Sequence, residues 1–142
     1  MQRNDIGPVF QRQLLRTRVQ LDNSEQAVAE AKELLQQAER WYQKARQELE
    51  PLAHQNPAVI AYQSELAAIY MNLGRLAFES SDLHGSAQWL RQAQALLQDI
   101  SQKAAEHASV KENLPLTTRA LEQIEQQLER RPAGNSKSTT QD

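Results

Sequence analysis

The chain has 142 residues, four glycines, five prolines and no cysteine, and its formal net charge is −2. The lack of cysteine excludes disulfides and thiolate metal sites, and the small net charge gives no overall attraction to nucleic acid or to an anionic membrane. Good helix formers are abundant and no long apolar run is present, so we expect one soluble, cytoplasmic, all-α domain without a membrane segment.

The first part of the chain is predicted to hold a flexible lead-in and a short helix. Residues 1–8, which end in Gly7-Pro8, form the expected lead-in. Residues 9–21 form the expected helix, because apolar side chains recur along it at helical spacing. Residues 21–24 read Leu-Asp-Asn-Ser and offer capping side chains, so we expect a turn there. At the other end of the chain, the polar tail 132–142 is predicted to be disordered.

A long helix is predicted over residues 24–52. Its apolar residues recur three or four positions apart, a spacing that offers a seam to one or two partner helices. They are Ala27, Ala31, Leu34, Ala38, Trp41, Ala45, Leu49 and Leu52. We expect this helix to end at residues 54–57, where Asn56 would cap the next helix and Pro57 would take its first position.

Three more helices are expected, over residues 57–79, 84–108 and 115–130, with breaks at 79–85 and 113–115. The first two each carry a one-sided row of apolar and small residues. Gly74 lies within the first row, where glycine costs about 1 kcal/mol relative to Ala. We therefore expect a neighbouring backbone or bulky side chain to need the space at Gly74, as in a tightly packed helical hairpin.

At these residues the chain resembles a tetratricopeptide repeat. The family pattern has an aromatic residue, a Leu-Gly pair and, after a turn, a small residue, a large apolar residue and an alanine. It is matched by Tyr70, Leu73, Gly74, Ser86, Leu90 and Ala93. Ala77 departs from the usual Tyr, and Gln98 from the proline that commonly closes the second helix. The resemblance implies antiparallel hairpins stacked as a short superhelix over residues 9–131, with a non-catalytic role as a protein–protein interaction scaffold.

An internal repeat supports the stacking of hairpins. Its offset is 48 residues, the separation of Ala38 and Ser86. The offset also matches Tyr42 with Leu90, Ala45 with Ala93, Trp41 with Trp89, Leu49 with Leu97 and Leu52 with Ile100. Both tryptophans are therefore predicted to pack between neighbouring hairpins.

The candidate binding surface follows from the same resemblance, because the first helix of each hairpin lines the groove in which extended peptides lie. Carried onto helix 57–79, this implies partner binding by Met71, Asn72, Arg75, Phe78 and Glu79. Asn72 and Arg75 would donate hydrogen bonds to a peptide backbone or carboxylate, and Met71 and Phe78 would supply apolar contact. The alternative is a plain solvated helix face with Phe78 partly in the core.

Self-association is the alternative function, in a helical bundle or coiled coil that dimerises through helix 24–52.

We expect neither enzyme activity nor a cofactor, since the phosphate-binding and metal-binding motifs are absent and only Glu50 and His54 have a metal-like spacing. Nucleic-acid binding is also not expected. The only feature that would favour it is a basic N-terminal cluster, which has no aromatic platform beside it and consists of Arg3, Arg12, Arg16 and Arg18.

Overall fold

A computed structural model describes the backbone of residues 3–131 and the side chains of residue 9 and residues 11–131. Within that range the protein is built from four helices and contains no strand. They are α1 (Arg3–Gln55), α2 (Ile60–Glu79), α3 (Leu83–Lys103) and α4 (Ala108–Arg130). The predicted all-α fold with antiparallel helical hairpins is confirmed. The tail predicted to be disordered, 132–142, lies outside the described residues.

Helix α1 corrects the prediction for the first part of the chain. It runs without interruption through the expected lead-in at residues 3–8 and through the expected turn at 21–24. No glycine or proline occurs between residues 9 and 50. An Asp, Asn or Ser inside a helix costs a fraction of a kcal/mol, roughly 0.5 relative to Ala, whereas a break would require the costly nucleation of a second helix.

The link between α1 and α2 differs from the prediction in its capping. Asn56 ends α1, because its backbone N–H and its Nδ2 both donate to the carbonyl of Leu52, at 3.0 and 2.9 Å. Helix α2 begins later than expected, after Val59, whose side chain makes no capping hydrogen bond. Pro57 instead lies in the loop. Its carbonyl accepts hydrogen bonds from Gln63 Nε2 at 3.1 Å and from Lys103 Nζ at 3.2 Å.

Helices α2 and α3 form the predicted close-packed hairpin. Asp82 caps α3 by accepting the backbone N–H of Gly85 at 2.9 Å. The buried Ser86 hydroxyl donates to the carbonyl of Gly74 at 2.7 Å. A Cβ at Gly74 would lie 2.9 Å from two side-chain atoms of Leu90. The expectation that a bulky neighbour needs the space at Gly74 is therefore confirmed.

The boundary between α3 and α4 lies earlier in the chain than predicted. Helix α3 ends at Lys103, and the break expected at 113–115 is absent because Pro115 lies inside α4. The sequence signal that was missed is His107, whose Nδ1 accepts the backbone N–H of Ser109 at 3.2 Å and so caps α4. The ring of Pro115 is exposed to solvent.

The chain divides into two compact units, Met1–Gln37 and Ala38–Asp142. In the described part of the first unit, the large apolar side chains of α1 are exposed, except that of Leu35, which is half-buried. The second unit holds three core clusters, each of which includes side chains of α3. They contain Leu49, Ala53, Leu66, Tyr70, Leu73 and Ala93; Ala67, Leu97, Ile100 and Val110; and Ala87, Leu90, Leu121 and Ile124. The buried residues of α2 and α3 include all six that match the tetratricopeptide pattern.

The two tryptophans of the sequence repeat have different environments. Trp89 packs as predicted, with its ring stacked on Tyr70 at a centroid distance of 5.6 Å. Trp41 is 79% exposed, so its predicted packing role is wrong. The neighbouring Tyr42 packs against the core instead. The offset of 48 residues therefore matches residue types at this position and not their burial.

Candidate partner-binding groove

A groove of about 420 Å³ lies within the second unit, between α2, α3 and α4. We call it the α2–α4 groove. Helix α2 contributes Met71, Asn72, Gly74, Arg75 and Phe78; α3 contributes Ser86 and Leu90; and α4 contributes Leu116, Thr117, Ala120, Gln123, Ile124 and Gln127. An open, largely apolar depression with a few polar groups is typical of a ligand or peptide site.

Four of the five predicted partner-binding residues line this groove: Met71, Asn72, Arg75 and Phe78. Their clustering follows from α2, because residues three or four positions apart share a helix face. Glu79 is not part of the lining. Its carboxylate lies 3.8 Å from Nη1 of Arg75 and so acts on the groove only through that side chain.

The α4 wall of the groove was not predicted from the sequence. Leu116, Ala120 and Ile124 are spaced four residues apart and line the side opposite α2. Leu116 is 54% exposed, so its side chain is open to a partner. The spacing could have revealed this face, but the sequence analysis assigned no binding surface to the helix expected over residues 115–130.

The floor of the groove forms where α2 and α3 meet most closely. Gly74 has no side chain to fill the space above Leu90, and Ser86 uses its hydroxyl to hold the Gly74 carbonyl. The hydroxyl proton of Ser86 is therefore committed to the hairpin. Ser86 is therefore not available as a donor to a ligand in the groove.

Arg75 is the only charged residue among those that line the groove. Its guanidinium is held loosely, since Nη2 donates to Asn72 Oδ1 at 3.4 Å and the exposed pair with Glu79 is long. Exposed ion pairs of this kind contribute at most about 1 kcal/mol. A carboxylate entering the groove can therefore compete for Arg75. Asn72 donates from Nδ2 to the carbonyl of Ala68 at 3.0 Å and keeps the second hydrogen of that group.

A second polar cluster, elsewhere in the second unit, is fully paired. The Tyr70 hydroxyl donates to Glu50 Oε1 at 3.1 Å, and Arg46 forms an ion pair with the same carboxylate. The Arg46 guanidinium also lies 5.5 Å from the centroid of the Trp89 ring, in a cation–π contact. Burial, and then the Glu50 charge, raise the pKa of Tyr70 to about 12. This network joins α1, α2 and α3.

Glu50 therefore has partners other than His54, the residue with which it shares a metal-like spacing. Residues 3–131 contain no group of three or more His, Cys, Asp or Glu side chains placed to hold a metal ion. In the same part of the chain, no helix combines the length and apolar character needed to cross a bilayer.

A scan against protein-family models finds no match to this chain. Searches of curated proteins and of solved structures also find none.

Proposed function

We propose that the protein is a non-catalytic protein–protein interaction module of tetratricopeptide-repeat type, and that its partner binds in the α2–α4 groove. The observation that carries this proposal is the convergence of Met71, Asn72, Arg75 and Phe78 on one groove with an apolar opposite wall. The tetratricopeptide resemblance implies the same residues, through their place on the first helix of a hairpin.

The resemblance supports the same surface. In tetratricopeptide arrays the first helices of successive hairpins line the concave side. Here α2 has the place of a first helix, α3 of the second, and α4 of the first helix of the next hairpin. The groove lies between the two first helices and above α3, as that arrangement implies.

The chemistry of the lining favours a peptide segment with apolar side chains and a carboxylate. Met71, Phe78 and Leu116 offer apolar contact at the rim, and methionine adapts easily to different shapes. Arg75 can form a charge-assisted hydrogen bond with an Asp, a Glu or a C-terminal carboxylate. The glutamine amides of α4, Gln123 and Gln127, can hydrogen-bond the backbone of an extended segment.

A displayed peptide library provides the test with the full chain as bait. We expect the bound peptides to share apolar residues next to an acidic residue or a C-terminal carboxylate. For one such peptide, the double variant Asn72→Ala/Arg75→Ala should weaken binding by about 1–3 kcal/mol. Fluorescence anisotropy measures the change. Each substitution should alter the free energy of unfolding by about 0.5 kcal/mol or less, because the positions are not buried.

The double variant Gln98→Ala/Arg119→Ala is a matched control. It also removes one amide and one arginine, both exposed, and neither residue lines the groove. We expect this control to bind the peptide as the wild type does. Leu116→Glu, which places a charge on the apolar wall, should abolish binding without unfolding the protein. Equal binding by all three variants would move the interaction surface elsewhere.

A further inference from the structure

Helix α1 carries a row of large exposed residues in the first unit. Leu14, Leu21 and Val28 recur every seven residues, and their exposed fractions are 54%, 58% and 67%. The same step continues along the sequence to Tyr42 and Leu49, which pack against the core of the second unit. A seven-residue repeat sustained over several heptads is typical of a coiled-coil seam.

Small residues occupy the other seam position, three residues after each large one. They are Thr17, Ser24 and Ala31, and all are exposed. The Thr17 hydroxyl donates to the carbonyl of Gln13 at 2.9 Å, so its proton has a partner and the side chain can be buried at little cost. In a parallel in-register pair, large residues would meet large ones and small would meet small. In an antiparallel pair, each large residue meets a small one, and the spacing between the helices stays even.

The surface of α1 has a hollow that can accept a side chain from a facing helix. A hollow is lined by Leu14, Leu15, Thr17, Arg18 and Leu21. Four of these lie at positions i, i+3, i+4 and i+7, the four-residue hole into which a knob inserts in a coiled coil.

The charges beside the seam select one register. Arg18, Glu25 and Lys32 each follow a small seam residue and alternate in sign. In an antiparallel pair with Val28 opposite Thr17, Arg18 of each helix faces Glu25 of the other. A shift by one heptad would place Glu25 against Glu25, and Arg18 against Lys32. Both are like-charge contacts, so charge and side-chain size favour the same arrangement.

We propose that the protein forms an antiparallel dimer with a second copy of itself through residues 14–31 of α1. Val28 of one copy inserts into the hole between Leu14 and Leu21 of the other. Leu21 then faces Ser24, and Leu14 faces Ala31, and two-fold symmetry repeats each layer. This seam is not the one expected from residues 24–52, since Leu34 and Trp41 do not belong to the large or the small row. The dimer is independent of the α2–α4 groove.

The oligomeric state of the full chain tests the proposal. We expect light scattering and sedimentation equilibrium to show a monomer–dimer equilibrium that depends on concentration. Leu21→Glu and Val28→Glu should each leave a folded monomer. Val19→Glu is the matched control, because Val19 is a similarly exposed apolar residue of α1 outside both rows. A wild-type chain that stays monomeric at all concentrations overturns the proposal, as does loss of the dimer in the control.

A charge exchange tests the register. Arg18→Glu converts two attractive contacts into repulsive ones and should raise the dissociation constant of the dimer roughly ten-fold. The double variant Arg18→Glu/Glu25→Arg restores opposite charges in both contacts and should restore the wild-type constant. A double variant as weak as the single one would overturn the register.

Single cysteines test the orientation, since the natural chain has none. In the antiparallel register, a mixture of Thr17→Cys and Val28→Cys chains should oxidise to a covalent heterodimer. Thr17→Cys alone should not crosslink, because its two copies would lie about 16 Å apart along the helix axis, beyond disulfide reach. Crosslinking of Thr17→Cys with itself would mean a parallel dimer and overturn the proposal.

Discussion

Both the α2–α3 hairpin and the floor of the α2–α4 groove depend on the close approach of Gly74 to Leu90. A Cβ there would lie 2.9 Å from Cγ and Cδ2 of Leu90, well inside the optimal separation of about 3.5–4.0 Å for nonbonded carbons. The Gly74 carbonyl also accepts the buried Ser86 hydroxyl. Because glycine has no Cβ, α2 and α3 can approach closely at this point. The packing gained there offsets the poor helix propensity of glycine.

Replacing Gly74 with Leu should therefore lower the free energy of unfolding by about 1–3 kcal/mol, through overpacking against Leu90. Urea unfolding followed by circular dichroism measures the change. Glu65→Leu is the control, since it adds the same side chain at an exposed position of α2 and should change stability by about 0.5 kcal/mol or less. A Gly74→Leu variant that is more stable than the wild type would contradict the close contact.

Tyr70 makes the stability depend on pH in the alkaline range. Its pKa is raised from 10.0 to about 12, so between these values the folded chain keeps a proton that the unfolded chain has released. Stability contributed by Tyr70 is present below about pH 10 and falls as the pH rises toward 12. Urea unfolding should show Tyr70→Phe losing less stability than the wild type across this window.

The variant Glu50→Gln separates the two main causes of this shift. It removes the negative charge beside the Tyr70 hydroxyl but leaves the tyrosine buried, and burial is the larger cause. A titration of tyrosinate absorbance should show the Tyr70 step at lower pH than in the wild type, yet still above the ordinary value for tyrosine. A step that does not move would mean that Glu50 has no influence on it.

The four helices differ in how far their sequences predict them. The α2–α3 hairpin was predicted well because its apolar rows and Gly74 are local signals that the packing follows. The ends of the helices were predicted poorly, since two helices begin without the Ser, Thr, Asp or Asn cap by which a helix start is recognised in a sequence. His107 caps α4 through a ring nitrogen, and Val59 precedes α2 with no side-chain cap at all.

The two sides of the α2–α4 groove also differ in how far the sequence predicts them. The α2 side was identified from the sequence, because Met71, Asn72, Arg75 and Phe78 share one face of a helix. The α4 side was not, because neighbouring helices need not show their contacts in the sequence. Burial on α1 was also misjudged. Trp41 and Tyr42 are adjacent and equally compatible with a helix pattern, and only the packing of α2 and α3 decides which of them is covered.

Pro115 lies inside α4, where the sequence predicted a break between helices. It has no N–H to donate to the carbonyl of Lys111, four residues earlier, and such a position in a helix costs about 3 kcal/mol. Pro115→Ala should therefore raise the free energy of unfolding by about 3 kcal/mol. Glu112→Ala, at an exposed position one turn earlier in α4, should have little effect, and a less stable Pro115→Ala would show that the ring is needed for packing.

At the scale of the whole molecule, the two units have different roles in stability. Among the residues whose side chains are described, every buried core residue comes from Leu49 onward, and the earliest side chain packed against the core is Tyr42. Residues before 38 thus add exposed helix without adding to the described core. Their large apolar side chains suit contact with another molecule better than support of the fold.

A chain that begins at residue 38 should therefore fold cooperatively on its own. We expect its free energy of unfolding to differ from that of the full-length protein by about 1 kcal/mol or less, when both are compared at concentrations too low for dimers to form. This shortened chain also separates the two proposed interactions. It should bind a groove peptide with unchanged affinity, because all residues that line the groove remain, but it should be monomeric at every concentration in sedimentation equilibrium. A shortened chain that still dimerises would place the self-association surface in the second unit, and one that loses peptide binding while staying folded would show that the groove depends on α1.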